Sequence, residues 1–134
     1  MLADDVLGSS REDAGPPLNP LYAEAFAVME RDPNQYPAVL EDEGEVVGYL
    51  QLTFIPGLSL KGMLRGQIES VRISSSCRGR GFGHVMLEWA IAECQRRRCG
   101  LVQLAMNKSR EDALRFYESL GFVASHEGFK LPLQ

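Results

Sequence analysis

The stretch Arg78-Gly79-Arg80-Gly81-Phe82-Gly83 combines residue types and spacing that suit one kind of chemistry, the binding of an anion. Glycines at alternate positions free the backbone for positive φ and let another molecule come close to it. The amphipathic run that follows reads as a helix, whose start would add unpaired first-turn N–H groups and the positive end of the helix dipole. A turn of this kind suits a phosphate or a pyrophosphate. The spacing excludes two common phosphate loops. No GxxxxGKS/T run is present, so the turn is not a P-loop, and His84 stands where a GxGxxG fingerprint needs its third glycine.

Other reactive side chains are few. Cys77, Cys94 and Cys99 form no CxxC pair and have no histidines at zinc spacing, so no metal site is expected. Cys94 falls on the apolar face of a helix. Cys77 lies beside the arginines of the turn, but no histidine or acid partner for a nucleophilic role is apparent. His84 reads as a surface histidine at the start of the helix. Arg96-Arg97-Arg98 reads as a solvated helix end whose cations complement the dipole.

The elements that must position the turn follow from periodicity. Residues 1–20 are irregular, with Gly15-Pro16-Pro17 and Asn19-Pro20 as breakers. Leu21 to Arg31 has helical spacing, with Pro20 suited to the first position. Tyr36–Leu40 and Val46–Phe54 read as a hairpin about Glu43-Gly44. The strand Met63–Ile73 leads into the turn, with Gln67, Glu69 and Val71 to one side and Ile68, Ser70 and Arg72 to the other. The helix after the turn spans about Gly81 to Arg98. Its buried stripe is Val85, Leu87, Ala90, Ile91 and Cys94, with Glu88, Glu93, Gln95 and Arg97 outward and Gly100 as its cap. Leu101–Met106 is a strand buried on both faces. Ser109 caps a last helix with Asp112 in capping-box position, and Phe122–Ser125 and Phe129–Leu133 finish the chain as short strands. The order α, β, β, β, α, β, α, β, β fits an α/β (α+β) mixed central sheet with helices on both faces.

At 134 residues, 45% hydrophobic and 24% charged, the chain has the length and composition of a single globular domain, residues 1–134. A formal net charge of −4 argues against general nucleic-acid binding and mildly favours an amine-bearing substrate. No run reaches the roughly 18 apolar residues of a membrane span, and no signal-peptide pattern opens the chain, so a cytoplasmic location is expected.

From about Val46 to Leu131 the pattern resembles the GNAT N-acetyltransferases. The turn matches that family's acyl-CoA signature, Q/R-x-x-G-x-G/A. The segment Ala113-x-x-Phe116-Tyr117-x-x-x-Gly121-Phe122 matches a second family motif, in the right order and at the right distance. The resemblance implies a GNAT fold in which Met63–Ile73 and Leu101–Met106 splay apart around acetyl-CoA. The cofactor's pantetheine would pair with the backbone of Val71, Arg72 and Ile73. Its pyrophosphate would rest on the N–H groups of Arg78, Gly79, Arg80, Gly81, Phe82 and Gly83. Two departures stand out. Relatives begin with a strand and a full helix before anything like Leu2-Ala3-Asp4-Asp5, so the first strand is missing and a sheet edge is left that a second subunit could cover. Arg110 also stands where many relatives have Asn, so Asn107 or Arg110 would take over that contact with pantetheine.

Acyl transfer to an amine needs a base for the ammonium, a donor for the developing oxyanion and an acid for the leaving thiolate. The resemblance makes Glu69 the base, directly or through water, and Tyr117 the acid, with the Val71 N–H as oxyanion donor. Phe116 reads as core. His126 is a candidate for the acceptor side, and the loop Ile55 to Arg65 with the first helix would shape the acceptor site. The function expected is an N-acetyltransferase moving acetyl from acetyl-CoA to a small-molecule primary amine in a ternary complex. A non-catalytic acyl-CoA-binding regulatory module is the alternative, and a nucleotide-binding module a weaker third.

Overall fold

The computed structural model describes residues 1–4 and 7–133; residues 5 and 6 of the irregular first stretch lie outside the described residues. Helix α1 (Pro20–Arg31) opens with Pro20, and Asn19 caps it by accepting the Leu21 N–H at 3.0 Å. β1 (Gln35–Asp42) and β2 (Glu45–Ile55) form the antiparallel hairpin, turning at Glu43 and Gly44, both with positive φ. A short turn, α2 (Ser59–Gly62), leads to β3 (Arg65–Ile73), which pairs antiparallel with β2. Helix α3 (Phe82–Arg96) then crosses over to β4 (Leu101–Leu104), parallel to β3, and helix α4 (Glu111–Ser119) follows. The sheet order is β1-β2-β3-β4, a mixed sheet because a parallel pair needs a crossover such as α3 to join it.

The core lies between one face of this sheet and α3. Leu50, Leu52, Phe54 and Ile68 meet Met86, Leu87, Ala90 and Cys94, all buried. Each such large apolar side chain contributes about 1.5–3 kcal/mol on burial. Two glycines let the helix approach. A Cβ on Gly48 would collide with Met86 Sδ, and one on Gly66 with Cys94 Sγ. This contact sets the helix phase, so Met86 takes the place in the buried stripe expected of Val85, which is half exposed. α1 lies toward the opposite face, where its Tyr22 lines a cavity with Val39 and Tyr49.

The helix ends also differ from expectation. Arg98 takes the left-handed conformation after α3, while Gly100 instead makes room for Met63, whose Cγ would sit 2.5 Å from a Cβ there. Arg97 does not face outward. Its guanidinium lies 4.0 Å from the Phe54 ring centre, donates to Pro33 O at 3.0 Å and pairs with Glu93 at 3.1 Å. Ser109 does not cap α4; Asn107 Oδ1 accepts from its N–H at 3.0 Å and its hydroxyl at 2.8 Å, and the helix begins two residues later. The two expected strands after α4 are corrected as well. Among the described residues none beyond Ser119 belongs to a strand, and every residue from Val123 to Leu133 is exposed. The alternating apolar pattern is present there, but within this chain no strand edge is laid against it.

Candidate active site

A bulge in β3 creates the site. Tyr49 lies opposite Arg72 and Gln51 opposite Glu69, so Leu50 alone faces both Ser70 and Val71. Ser70 takes φ 55, a left-handed conformation uncommon for a residue with a side chain. The extra residue changes the alternation along the strand. Val71 turns to the core side with Ile68 and Ile73, and Arg72 joins Glu69 on the opposite face, which corrects the strict alternation expected. On its other side β3 pairs with β4 only from Arg65–Leu101 to Ile68–Leu104. Beyond Ile68, β3 runs on to Ile73 without a β4 partner among the described residues.

The glycine turn follows directly on this unpaired end of β3. After β3, Ser74 donates to Val47 O at 2.8 Å, and a 3-10 turn spans Ser75–Cys77. Gly79 and Gly81 adopt φ 76 and 85, a conformation that costs an L-residue about 1–2 kcal/mol. No side chain caps the start of α3. Both arginine side chains of the turn fold back onto the protein. Arg78 donates to Ile73 O at 3.3 Å and Asp4 O at 2.7 Å, and Arg80 pairs with Asp42 at 3.5 Å while lying 4.9 Å from the Phe82 ring centre. Both arginine side chains are held by these partners yet stay about half exposed, and the start of α3 between them is left uncapped. Asp4 also accepts the Ser75 N–H at 3.1 Å, and hydrogen bonding from Ser75 holds its carboxyl below the usual carboxylate range.

The second sequence motif packs directly on the first. The Phe116 ring stands edge-on to His84 at 4.9 Å, and its Cζ would lie 3.3 Å from a Cβ on Gly83. Phe116 is thus packed against the core, as expected, and the exposed His84 leans on it. Tyr117, half-buried, stands edge-on to Phe116 and Phe122 at 5.2 and 6.0 Å. Burial pushes its phenol up from the ordinary value, opposed by the charges of Arg110 and Arg72. Asn107 spends its side-chain oxygen on Ser109, and Arg110 precedes α4 with its side chain exposed.

Glu69 is exposed on β3, on the sheet face away from α3. That face carries a polar layer across all four strands. Gln51 and Thr53 donate to Gln35 Oε1 at 2.9 and 3.0 Å, Gln103 donates to Gln67 at 2.7 Å, and Arg65 reaches Gln103 at 3.5 Å. A cavity of about 410 Å3 opens on the same face, lined by Glu12, Asp13, Tyr22, Val39 and Tyr49 among others. His126 lies apart from these groups, exposed in the tail and bonded to Ser125 at 2.8 Å. The amide layer and the turning of Arg72 to the face of Glu69 escape a reading of sequence. The one available signal was the spacing of Ile68, Val71 and Ile73, which breaks a two-residue period at the bulge.

This arrangement has counterparts. The sequence profile of the acetyltransferase (GNAT) family matches residues 3–122. Aminoalkylphosphonate N-acetyltransferase of Salmonella typhimurium is 32% identical over 108 residues, covering 81% of this chain and 70% of that protein. Glucosamine 6-phosphate N-acetyltransferase of Trypanosoma brucei brucei is 30% identical over 131 residues, covering 96% and 86%. Among solved structures, a protein described as a transcriptional regulator from Bacillus halodurans C-125 superposes with a TM-score of 0.96 at 48% identity, over 99% of this chain and 89% of that one. A family match over residues 3–122 and a relative 32% identical over 81% of the chain place it in one family: the chain belongs to the GNAT family.

Proposed function

We propose that this chain transfers an acetyl group from acetyl-CoA to the primary amine of a small molecule, by direct attack in a ternary complex. The observation that carries the reading is the end of the β3–β4 pairing at Ile68 and Leu104, which leaves Glu69 to Ile73 without a β4 partner among the described residues just ahead of the uncapped glycine turn. The turn fits a diphosphate. A Cβ on Gly79 or Gly81 would meet no atom within 4 Å, and the first amides of α3 are not capped by a side chain. The N–H groups from Arg78 to Gly83 would hold the diphosphate of the acyl carrier, the backbone of Val71, Arg72 and Ile73 its pantetheine arm, and Asn107 or Arg110 would flank that arm. The carrier supplies an activated thioester. Glu69 takes the proton of the acceptor ammonium, directly or through water, and the Val71 N–H donates to the carbonyl oxygen as it gains charge. Tyr117, whose phenol is protonated at neutral pH, gives its proton to the departing thiolate.

The acceptor would approach from the sheet face that carries Glu69, the amide layer and the cavity with Glu12 and Asp13. The Salmonella and Trypanosoma N-acetyltransferases are described by substrates that join an amine to a phosphonate or a phosphate. Aminoalkylphosphonates and amino-sugar phosphates are therefore the first acceptors to try. We read residues 1–134 as one transferase domain working in the cytoplasm; among the described residues no helix is long and apolar enough to cross a membrane. The Bacillus halodurans relative supports a second reading, an acyl-CoA-binding regulatory module.

Thermal shift with acetyl-CoA, ATP and NAD tests the cofactor. Stabilisation by acetyl-CoA is expected, and stabilisation by ATP or NAD alone would exclude acetyl-CoA from the turn. Release of free CoA thiol across the amine panel then divides the readings. Turnover establishes the transferase, whereas binding of acetyl-CoA without turnover on any amine leaves the regulatory module.

A further inference from the structure

The cavity on the face of Glu69 has a lining that selects among amines. Its volume of about 410 Å3 is that of a small-molecule site. The lining includes a cross-strand pair, Val39 of β1 opposite Tyr49 of β2, together with Tyr22 of α1 and Leu2, Ala3 and Leu18 of the first stretch. Leu18 and Val39 stay 62% and 61% exposed. Apolar surface is thus left in water at the cavity, and a ligand with an apolar body would gain by covering it.

The charged part of the lining is acidic. Glu12 and Asp13 are fixed by α1: the Tyr22 hydroxyl donates to Glu12 Oε2 at 2.9 Å and accepts the Asp13 N–H at 2.9 Å. Asn19 Nδ2 donates to Asp13 Oδ2 at 3.2 Å. None of the described residues that line the cavity is a lysine, arginine or histidine. Arg11 pairs with Glu12 at 3.5 Å and Arg72 lies opposite Tyr49, but neither belongs to the lining. Two held carboxylates attract an ammonium and repel a phosphate or phosphonate.

The cavity also lies beside the proposed base. Gln51 is opposite Glu69, and Tyr49 stands two residues from Gln51 on the same face of β2. Glu69 and Tyr49 are therefore diagonal neighbours on adjacent strands, about 7–8 Å apart, a gap that a chain of about two to four carbons bridges. Resting on the transferase reading above, we propose that the acceptor is a primary amine joined by a short carbon chain to an uncharged apolar body such as an aromatic ring. The body lies in the cavity against Val39 and Tyr49, and the amine lies at Glu69. The nitrogen forms its bond to the acetyl carbon as the thioester C–S bond breaks. Of the two protons the ammonium gives up, one leaves through Glu69 to solvent and one replaces the proton that Tyr117 hands to the thiolate. This class differs from the phosphonate and phosphate by which the Salmonella and Trypanosoma enzymes are described.

Steady-state release of CoA thiol by the full chain tests the proposal, with acetyl-CoA and 2-phenylethylamine, 2-aminoethylphosphonate or glucosamine 6-phosphate. The kcat/KM for 2-phenylethylamine should exceed that for either phosphorus-bearing amine by about 10-fold or more, as burial of one ring would give. Val39→Arg and Leu18→Arg, both at exposed positions, should each raise the KM for 2-phenylethylamine about 10-fold and erase the preference, with the helical circular dichroism signal kept. Equal or better turnover of either phosphorus-bearing amine, or of amines without an apolar body, would overturn the proposal and leave the transferase reading standing. No turnover of any amine would overturn that reading, and the proposal with it. A preference that survives both substitutions would place the acceptor elsewhere and also overturn the proposal.

Discussion

At the scale of single residues, the roles proposed for Glu69 and Tyr117 are tested by different substitutions. Glu69 is exposed and makes no packing contact with the core, so Glu69→Gln should lower kcat about 100-fold, within the usual range for a general base, with no change in melting temperature. Tyr117→Phe should lower kcat by about 10- to 100-fold while its ring packing against Phe116 and Phe122 is kept. Because burial raises the Tyr117 phenol above its ordinary value of 10.0, the phenol is neutral throughout the neutral range. The pH profile of Tyr117→Phe should therefore fall in height without changing shape below pH 9, as steady-state assays across pH would show. If turnover survives both substitutions undiminished, the roles assigned to these groups are wrong. Gly81→Ala separates conformation from ligand binding. A Cβ there meets nothing, so the loss of stability in urea should be only the left-handed penalty of about 1–2 kcal/mol. Acetyl-CoA affinity should fall by more than that penalty implies, because the Cβ would project into the space the diphosphate needs.

At the scale of elements, the contact between α3 and the sheet is where substitutions should cost most. Leu50 is fully buried at the centre of β2, and Leu50→Ala should destabilise by about 3 kcal/mol in chemical unfolding. Gly48→Val should cost about 2 kcal/mol for the opposite reason, since its side chain would meet Met86, Ile73 and Leu40 at once. The site depends on this contact. The same helix that Gly48 and Gly66 bring close to the sheet carries the glycine turn at its start, so a shift of α3 would also move the turn relative to the unpaired end of β3. Gly48→Val should accordingly weaken acetyl-CoA binding along with stability, whereas Leu50→Ala, which leaves the close approach intact, should affect stability first.

For the whole molecule, pH dependence on the alkaline side has an identifiable source. Burial pushes the Cys94 thiol from 9.0 up to about 12. A group raised in this way contributes stability that is fully present below its unfolded value and lost as pH rises toward the folded one. Melting temperature should hold steady to about pH 9 and then decline, and Cys94→Ala should make that decline shallower, as calorimetry over pH 7 to 11 would show. Thiol labelling should likewise find Cys94 unreactive in the folded protein and reactive on unfolding.

Much of this molecule is legible in its sequence. The glycine turn, the Phe116-Tyr117 motif, the hairpin and the order of elements through α4 follow from local rules, because turn chemistry and side-chain periodicity are set by near neighbours in the chain. The tertiary structure alone decided whatever depended on distant partners. Ser70 forms a bulge only because Leu50 of β2 lies opposite it, and that bulge sends Val71 to the core and brings Arg72 to the face of Glu69. Met86 rather than Val85 is buried because Gly48 lies beneath it. The tail beyond Phe122 has the residues of a strand but is paired with no strand of its own chain among the described residues, and pairing, unlike helix formation, is not encoded within a segment.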